Sequence, residues 1–145
     1  LKCLIPGASG WPTFEKNKSN QFESRLTMIE IIDSPSILLQ NLAGVRLPIV
    51  IAHGEGRVTK LTEKTYACMR YIDNYGSPAE KYPANPNGSI DGLTAFTTND
   101  GRATIMMPHP ERVFLNKQFS WHPDKSLEIE STWIQIFYNA RRWLD

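Results

Sequence analysis

Apolar and polar positions alternate along this chain with two periods. Across residues 21–33, Phe22, Leu26, Met28, Ile29, Ile31 and Ile32 interleave with Glu23, Arg25 and Glu30, a partial period of two that predicts a strand. Residues 47–52 form a continuous apolar, β-branched run, the pattern of a strand buried in a two-sided sheet. Residues 65–72 read as a further strand, and residues 93–97 and 102–107 flank Asn99-Asp100-Gly101, a strong hairpin signal. The period lengthens at the end. Trp133, Ile136, Phe137, Ala140, Trp143 and Leu144 recur at helical spacing, with Arg141 and Arg142 in the last turn. Ser34-Pro35-Ser36 predicts the cap of a short helix over residues 37–42 that ends near Gly44. Residues 6–20 and 82–89 are loop by their Pro, Gly, Ser and Asn content.

These elements predict an α/β sheet covered by helices. Helices are few for the number of strands. The opening residues 1–5 read as the tail of a helix stopped by Pro6-Gly7. Both features lead to the expectation that the 145 residues are the rear part of one larger domain. Composition narrows the function classes. A net charge of +1 from interspersed signs gives no basic stripe for nucleic acid. No apolar run approaches a membrane span, and nothing resembles a signal peptide. Cys3 and Cys68 lack metal-type spacing and fit a reducing, cytoplasmic setting.

The chemistry concentrates at two strand ends. In Ala103-Thr-Ile-Met-Met-Pro-His-Pro-Glu-Arg112, prolines stiffen both sides of His109, and residues i and i+2 of an extended segment share a side. His109 and Glu111 therefore face one way, the arrangement that prepares a general base. The second tip is His53-Gly54-Glu55-Gly56-Arg57, where the two glycines allow close backbone approach to a ligand. Read alone, each tip is also compatible with a turn carrying solvated side chains. His53, Glu55, His109, Glu111 and His122 also permit a metal-dependent hydrolase, although no two histidines share metal-ligand spacing.

His-Gly-Glu-Gly-Arg57, Tyr82-Pro-Ala-Asn-Pro-Asn-Gly-Ser89, Asn99-Asp-Gly-Arg102 and Met106-Met-Pro-His-Pro-Glu-Arg-Val-Phe114, in this order, closely resemble the C-terminal glutaminase domain of formylglycinamide ribonucleotide amidotransferases, also called phosphoribosylformylglycinamidine synthases. Asn17-Lys-Ser-Asn-Gln-Phe-Glu-Ser-Arg25 and Ser120-Trp-His-Pro-Asp124 belong to the same likeness. The resemblance implies a class I glutamine amidotransferase of flavodoxin-like α/β fold, here partial, with its N-terminal strands and nucleophile turn missing. It implies a cysteine that attacks the glutamine amide, with His109 as base and Glu111 as its orienter. His53, Gly54, Glu55 and Gly56 take the place where related domains hold the glutamine head group. Ammonia then passes to a synthetase domain that uses ATP and Mg²⁺ to form formylglycinamidine ribonucleotide in purine biosynthesis. No cofactor is assigned to this chain, and its partners are glutamine and the remainder of its polypeptide.

One departure stands out. No Gly-x-Cys-x-Gly occurs in the 145 residues. Cys3 lacks neighbouring glycines and Cys68 sits mid-strand, so the isolated chain is expected to be inactive. A non-catalytic docking fragment is the remaining alternative, with Trp11, Phe14, Trp121 and the last helix as candidate surfaces and association through an exposed sheet edge as its consequence. For Trp133, Phe137 and Trp143, core packing is the favoured reading. Arg112 is expected to pair with a carboxylate. His122 reads as structural, and Asn85 and Asn87 as turn formers.

Overall fold

The computed structural model describes residues 2–62, 64–120 and 129–145. Its strands are β1 (Phe14–Lys16), β2 (Glu23–Ile31), β3 (Arg46–His53), β4 (Glu55–Val58), β5 (Tyr66–Tyr71), β6 (Leu93–Thr97) and β7 (Thr104–Met106), and its α-helix is α1 (Gln135–Leu144). β1 and β4 form a small antiparallel sheet. The main sheet has five strands in the order β3-β2-β5-β6-β7. Every pairing in it is antiparallel. The α/β class therefore holds in a mixed form, an antiparallel sheet with few helices. The predicted strands and the Asp-Gly hairpin are present, with Thr97 paired to Thr104 across the turn.

β2 and β3 run opposed over eight registered pairs. Alternation places Thr27, Ile29 and Ile31 with Ile49 and Ile51 on the inner face. The four isoleucines join Met69, Tyr71, Ala95, Trp133 and Ile136 in one core. A second core, made of Ala8, Trp11, Val58, Leu93 and Phe96, lies where residues 8–14 cover β6. β6 is buried along its whole length because both cores use it. Trp11 is thus a core residue rather than a docking surface, and Phe14 is half-buried with its ring 6.2 Å from that of Phe96.

β3 differs from its expectation. Ile49 and Ile51 are fully buried, but Pro48, Val50 and Ala52 on the other face are only half-buried. β3 is an edge strand. Its outward carbonyls are taken up from far along the chain: Trp133 Nε1 donates to Pro48 O at 2.8 Å, and the His109 amide donates to Val50 O at 2.8 Å. Pro48 lacks an N–H on that same edge, where proline is tolerated. Because His109 follows β7, the last strand in the order, its bond to β3, the first, shows that the sheet curls until its two edges approach.

The short helix expected over residues 37–42 is instead a run of turns. Leu39 bonds back to Ser36, Gln40 to Ile37 and Leu42 to Leu39, with Asn41 in the left-handed region at φ 64°. Its supposed cap is engaged elsewhere. Ser36 Oγ lies 2.8 Å from Thr104 Oγ1, and the Ile37 amide donates to Gly101 O. The final helix is present, led by a 3₁₀ turn over Thr132–Ile134, and Trp133 is fully buried. Phe137 and Trp143 are exposed, contrary to the core reading. The inward position is held by buried Asn139, whose amide donates to Leu38 O and Gln40 O.

Candidate active site

The curl brings the two polar strand ends together. Beyond β7, Met107 still bonds to Thr94 on β6, then Pro108 is buried and His109 reaches across to β3. Pro110–Arg112 is a 3₁₀ turn with proline in its first turn. That turn folds Glu111 back onto the ring of His109, and Nδ1 to Oε1 is 2.7 Å. A carboxylate only accepts, so Nδ1 carries the hydrogen, and in the neutral ring the lone pair is on Nε2. The pair is half-exposed, as a site meeting a substrate requires. Arg112 finds the carboxylate expected for it, Glu111 itself, at 3.8 Å across an exposed surface where such pairs contribute little.

His53 ends β3 and is buried. Burial pushes its imidazole below the ordinary histidine range, and nearby His109 adds to this, while Glu23 opposes both. Glu23 is its cross-strand partner on β2 and is itself buried, held by Ser19 Oγ at 3.0 Å and by Arg25 at 2.6 Å. Gly54 is half-buried and Glu55 is exposed. Gly56 is buried against the His53 ring, and a Cβ there would stand 2.5 Å from Nε2. Of the four residues at this tip, His53 and Gly56 thus pack on each other, while Gly54 and Glu55 face outward.

Two asparagine segments hold this tip in place. Asn17 Nδ2 donates to His53 O at 2.7 Å and to Gln21 O at 2.9 Å. The Asn17 amide donates to Gly54 O. Asn87 Nδ2 donates to Gly56 O at 2.8 Å and lies 3.3 Å from His53 Nε2. Asn85 Nδ2 bridges Ala79 O and Ser89 O. Asn17, Asn85 and Asn87 are all buried, and Asn85 and Asn87 also form turns as expected, their Oδ1 atoms accepting from the Gly88 and Ser89 amides. The bonds from Asn17 to His53 and from Asn87 to Gly56 span 36 and 31 residues, and local pattern carried no sign of them.

Cys68 is buried, and burial pushes its thiol up to about 12, away from nucleophile chemistry. Cys3 is exposed. His122 and Trp121 lie outside the described residues. Among the described residues no group of three or more His, Cys, Asp or Glu is arranged to hold a metal ion. No described helix is long and apolar enough to cross a membrane.

Comparison with known proteins speaks to the fold and the family of the chain. Among solved structures the fold is similar to that of PurLQS from Thermotoga maritima, with a TM-score of 0.71 and 19% identity, over 92% of this chain and 53% of that one. The likeness is one of fold, and the chain spans about half the length of that relative. The family model of the CobB/CobQ-like glutamine amidotransferase domain matches residues 1–144. The chain belongs to this family of glutamine amidotransferase domains.

Proposed function

We propose that this chain supplies the base side of a glutaminase that feeds ammonia to a synthetase converting formylglycinamide ribonucleotide to formylglycinamidine ribonucleotide. The observation that carries the reading is the 2.7 Å bond between His109 Nδ1 and Glu111 Oε1, which leaves Nε2 free. The ordered motifs resembling formylglycinamide ribonucleotide amidotransferases, and the fold shared with PurLQS, point the same way.

In this reading a cysteine thiol contributed from outside the chain gives its proton to His109 Nε2 and attacks the glutamine side-chain carbonyl. The C–N bond breaks, and the proton on His109 leaves with ammonia. Water, deprotonated by His109, then attacks the thioester carbonyl; the C–S bond breaks, glutamate leaves and the proton returns from His109 to the cysteine sulfur. Glu111 holds the ring and stabilises each imidazolium as it forms. In the same reading Gly54 and Glu55, on the outward side of the His53–Gly56 tip, meet the glutamine head group. ATP and Mg²⁺ belong to the synthetase, and no residue of this chain is assigned to them. By itself the chain is expected to be inactive, because the nucleophile is contributed from elsewhere.

The test uses the intact polypeptide. His109→Ala is expected to abolish glutamine-dependent synthesis while leaving ammonia-dependent synthesis. Equal loss of both activities would refute the assignment.

A further inference from the structure

Asn87 is fully buried and makes contacts that leave its side-chain amide one orientation. Its Oδ1 accepts from the Ser89 amide at 3.0 Å and from Ser89 Oγ at 2.8 Å. Its Nδ2 donates to Gly56 O at 2.8 Å. The Ser89 amide only donates and the Gly56 carbonyl only accepts, so exchanging O and N would break both bonds. The second hydrogen of Nδ2 then faces His53 Nε2 at 3.3 Å. An amide N–H meeting a ring nitrogen requires that nitrogen to be the lone-pair one. The ring hydrogen of His53 is therefore on Nδ1, which is buried and finds no partner among the described residues.

The position of His53 gives this lock a use. Glu23 faces His53 across the β2–β3 pair, and His109 bonds to β3 at Val50, three residues before His53; these are the groups whose charges bear on the ring. On the proposed function, His109 becomes an imidazolium twice per turnover. A second cation at His53 would oppose each of those protonations.

We propose that Asn87 is a positioning residue for the glutaminase site, fixing His53 as the neutral Nδ1–H tautomer so that the wall beside His109 stays uncharged while His109 gains and loses its proton. The inference rests on the glutaminase reading for its purpose but not for its geometry. Asn87→Asp is the discriminating change. It keeps both acceptor bonds from Ser89 and replaces the donor toward His53 with an acceptor.

The experiment is long-range ¹H–¹⁵N correlation of the histidine rings across a pH series, in the wild-type chain and in N87D, with His53 assigned through H53Q. In the wild type, Nδ1 of His53 is expected to be protonated and Nε2 bare, in a ring that resists protonation. In N87D the hydrogen is expected to move to Nε2 and protonation to begin at higher pH. A wild-type His53 with its hydrogen on Nε2 overturns the proposal without any variant. A well-folded N87D with an unmoved tautomer overturns it too. In the intact polypeptide, N87D is expected to lower kcat for glutamine about tenfold, with a smaller change in KM. Loss of the lock with H109A behaving as proposed would sink this inference alone. An intact lock with H109A still active on glutamine would sink the glutaminase reading instead.

Discussion

His109 owes its direction to two bonds of different reach. Its amide reaches Val50 on β3, and its ring meets Glu111 two residues on. The second pairing was legible in the sequence, but on a different backbone: an extended segment was expected, and the 3₁₀ turn Pro110–Arg112 is what brings Glu111 onto the ring. The first was not, because it depends on the curl of the whole sheet. Loss of the base in His109→Ala should cost glutamine-dependent turnover about 10²–10⁴-fold. Glu111→Gln should cost less, because it removes orientation and charge but leaves the base. Steady-state rates with glutamine and with ammonia check both. His53 gives a prediction about stability. Its folded-state affinity for a proton is held below the ordinary histidine value by burial and then by His109. The unfolded chain therefore binds more protons in the range just below the usual histidine pKa. The contribution of His53 to stability is fully present above about pH 6.5 and is lost progressively as pH falls from there toward its lowered value. Urea midpoints at neutral pH and in the mildly acidic range should fall on acidification in the wild type and fall less in His53→Gln.

The strands of the main sheet were readable because their apolar periods agree with their burial, and the Asp-Gly turn because its chemistry is local; β1, within residues read as loop, and β4, within the polar tip, were not. The run over residues 37–42 was misread because its amide and hydroxyl partners come from the β6–β7 hairpin, more than sixty residues away. That same contact makes the hairpin turn sensitive. Gly101 has a φ of 71°, and a Cβ there would collide with the carbonyl oxygen of Pro35. Gly101→Ala should destabilise the chain by about 2 kcal/mol or more, from left-handed strain and overlap together. Equilibrium denaturation measures it, and an unchanged midpoint would show that the turn yields. Trp133 joins the helical end to the edge of β3 through its ring in the core and its indole N–H on Pro48. Trp133→Ala should cost about 3–5 kcal/mol. Trp133→Phe should recover most of that and lose about 1 kcal/mol for the missing bond.

The curl of the sheet decides which surface of the whole molecule is open to association. An unprotected sheet edge is the obvious hazard for a chain read as part of a larger domain. On β3, however, two outward carbonyls are occupied by Trp133 and His109, and Pro48 has no hydrogen to offer. The more exposed apolar feature is the outer face of the neighbouring pair of strands. Leu26 lies opposite Val50, and Met28 opposite Pro48. Leu26 and Met28 each keep 38% of their surface exposed and line a groove of about 400 Å³ that extends to Ile72 and Tyr75. Further along the face, Glu30 is shared by Arg70 and Arg46, two cations to one carboxylate, so that end keeps a net positive charge and the apolar end is the part left to associate. Self-association should therefore run through this face, driven by its apolar area. Sedimentation of the isolated chain should show mass rising with concentration. The double change Leu26→Lys and Met28→Lys, which leaves both cores untouched, should return it to monomer. A wild-type chain that sediments as a monomer at every concentration would remove the face from consideration. Association that survives the double lysine change would send attention back to the strand edges.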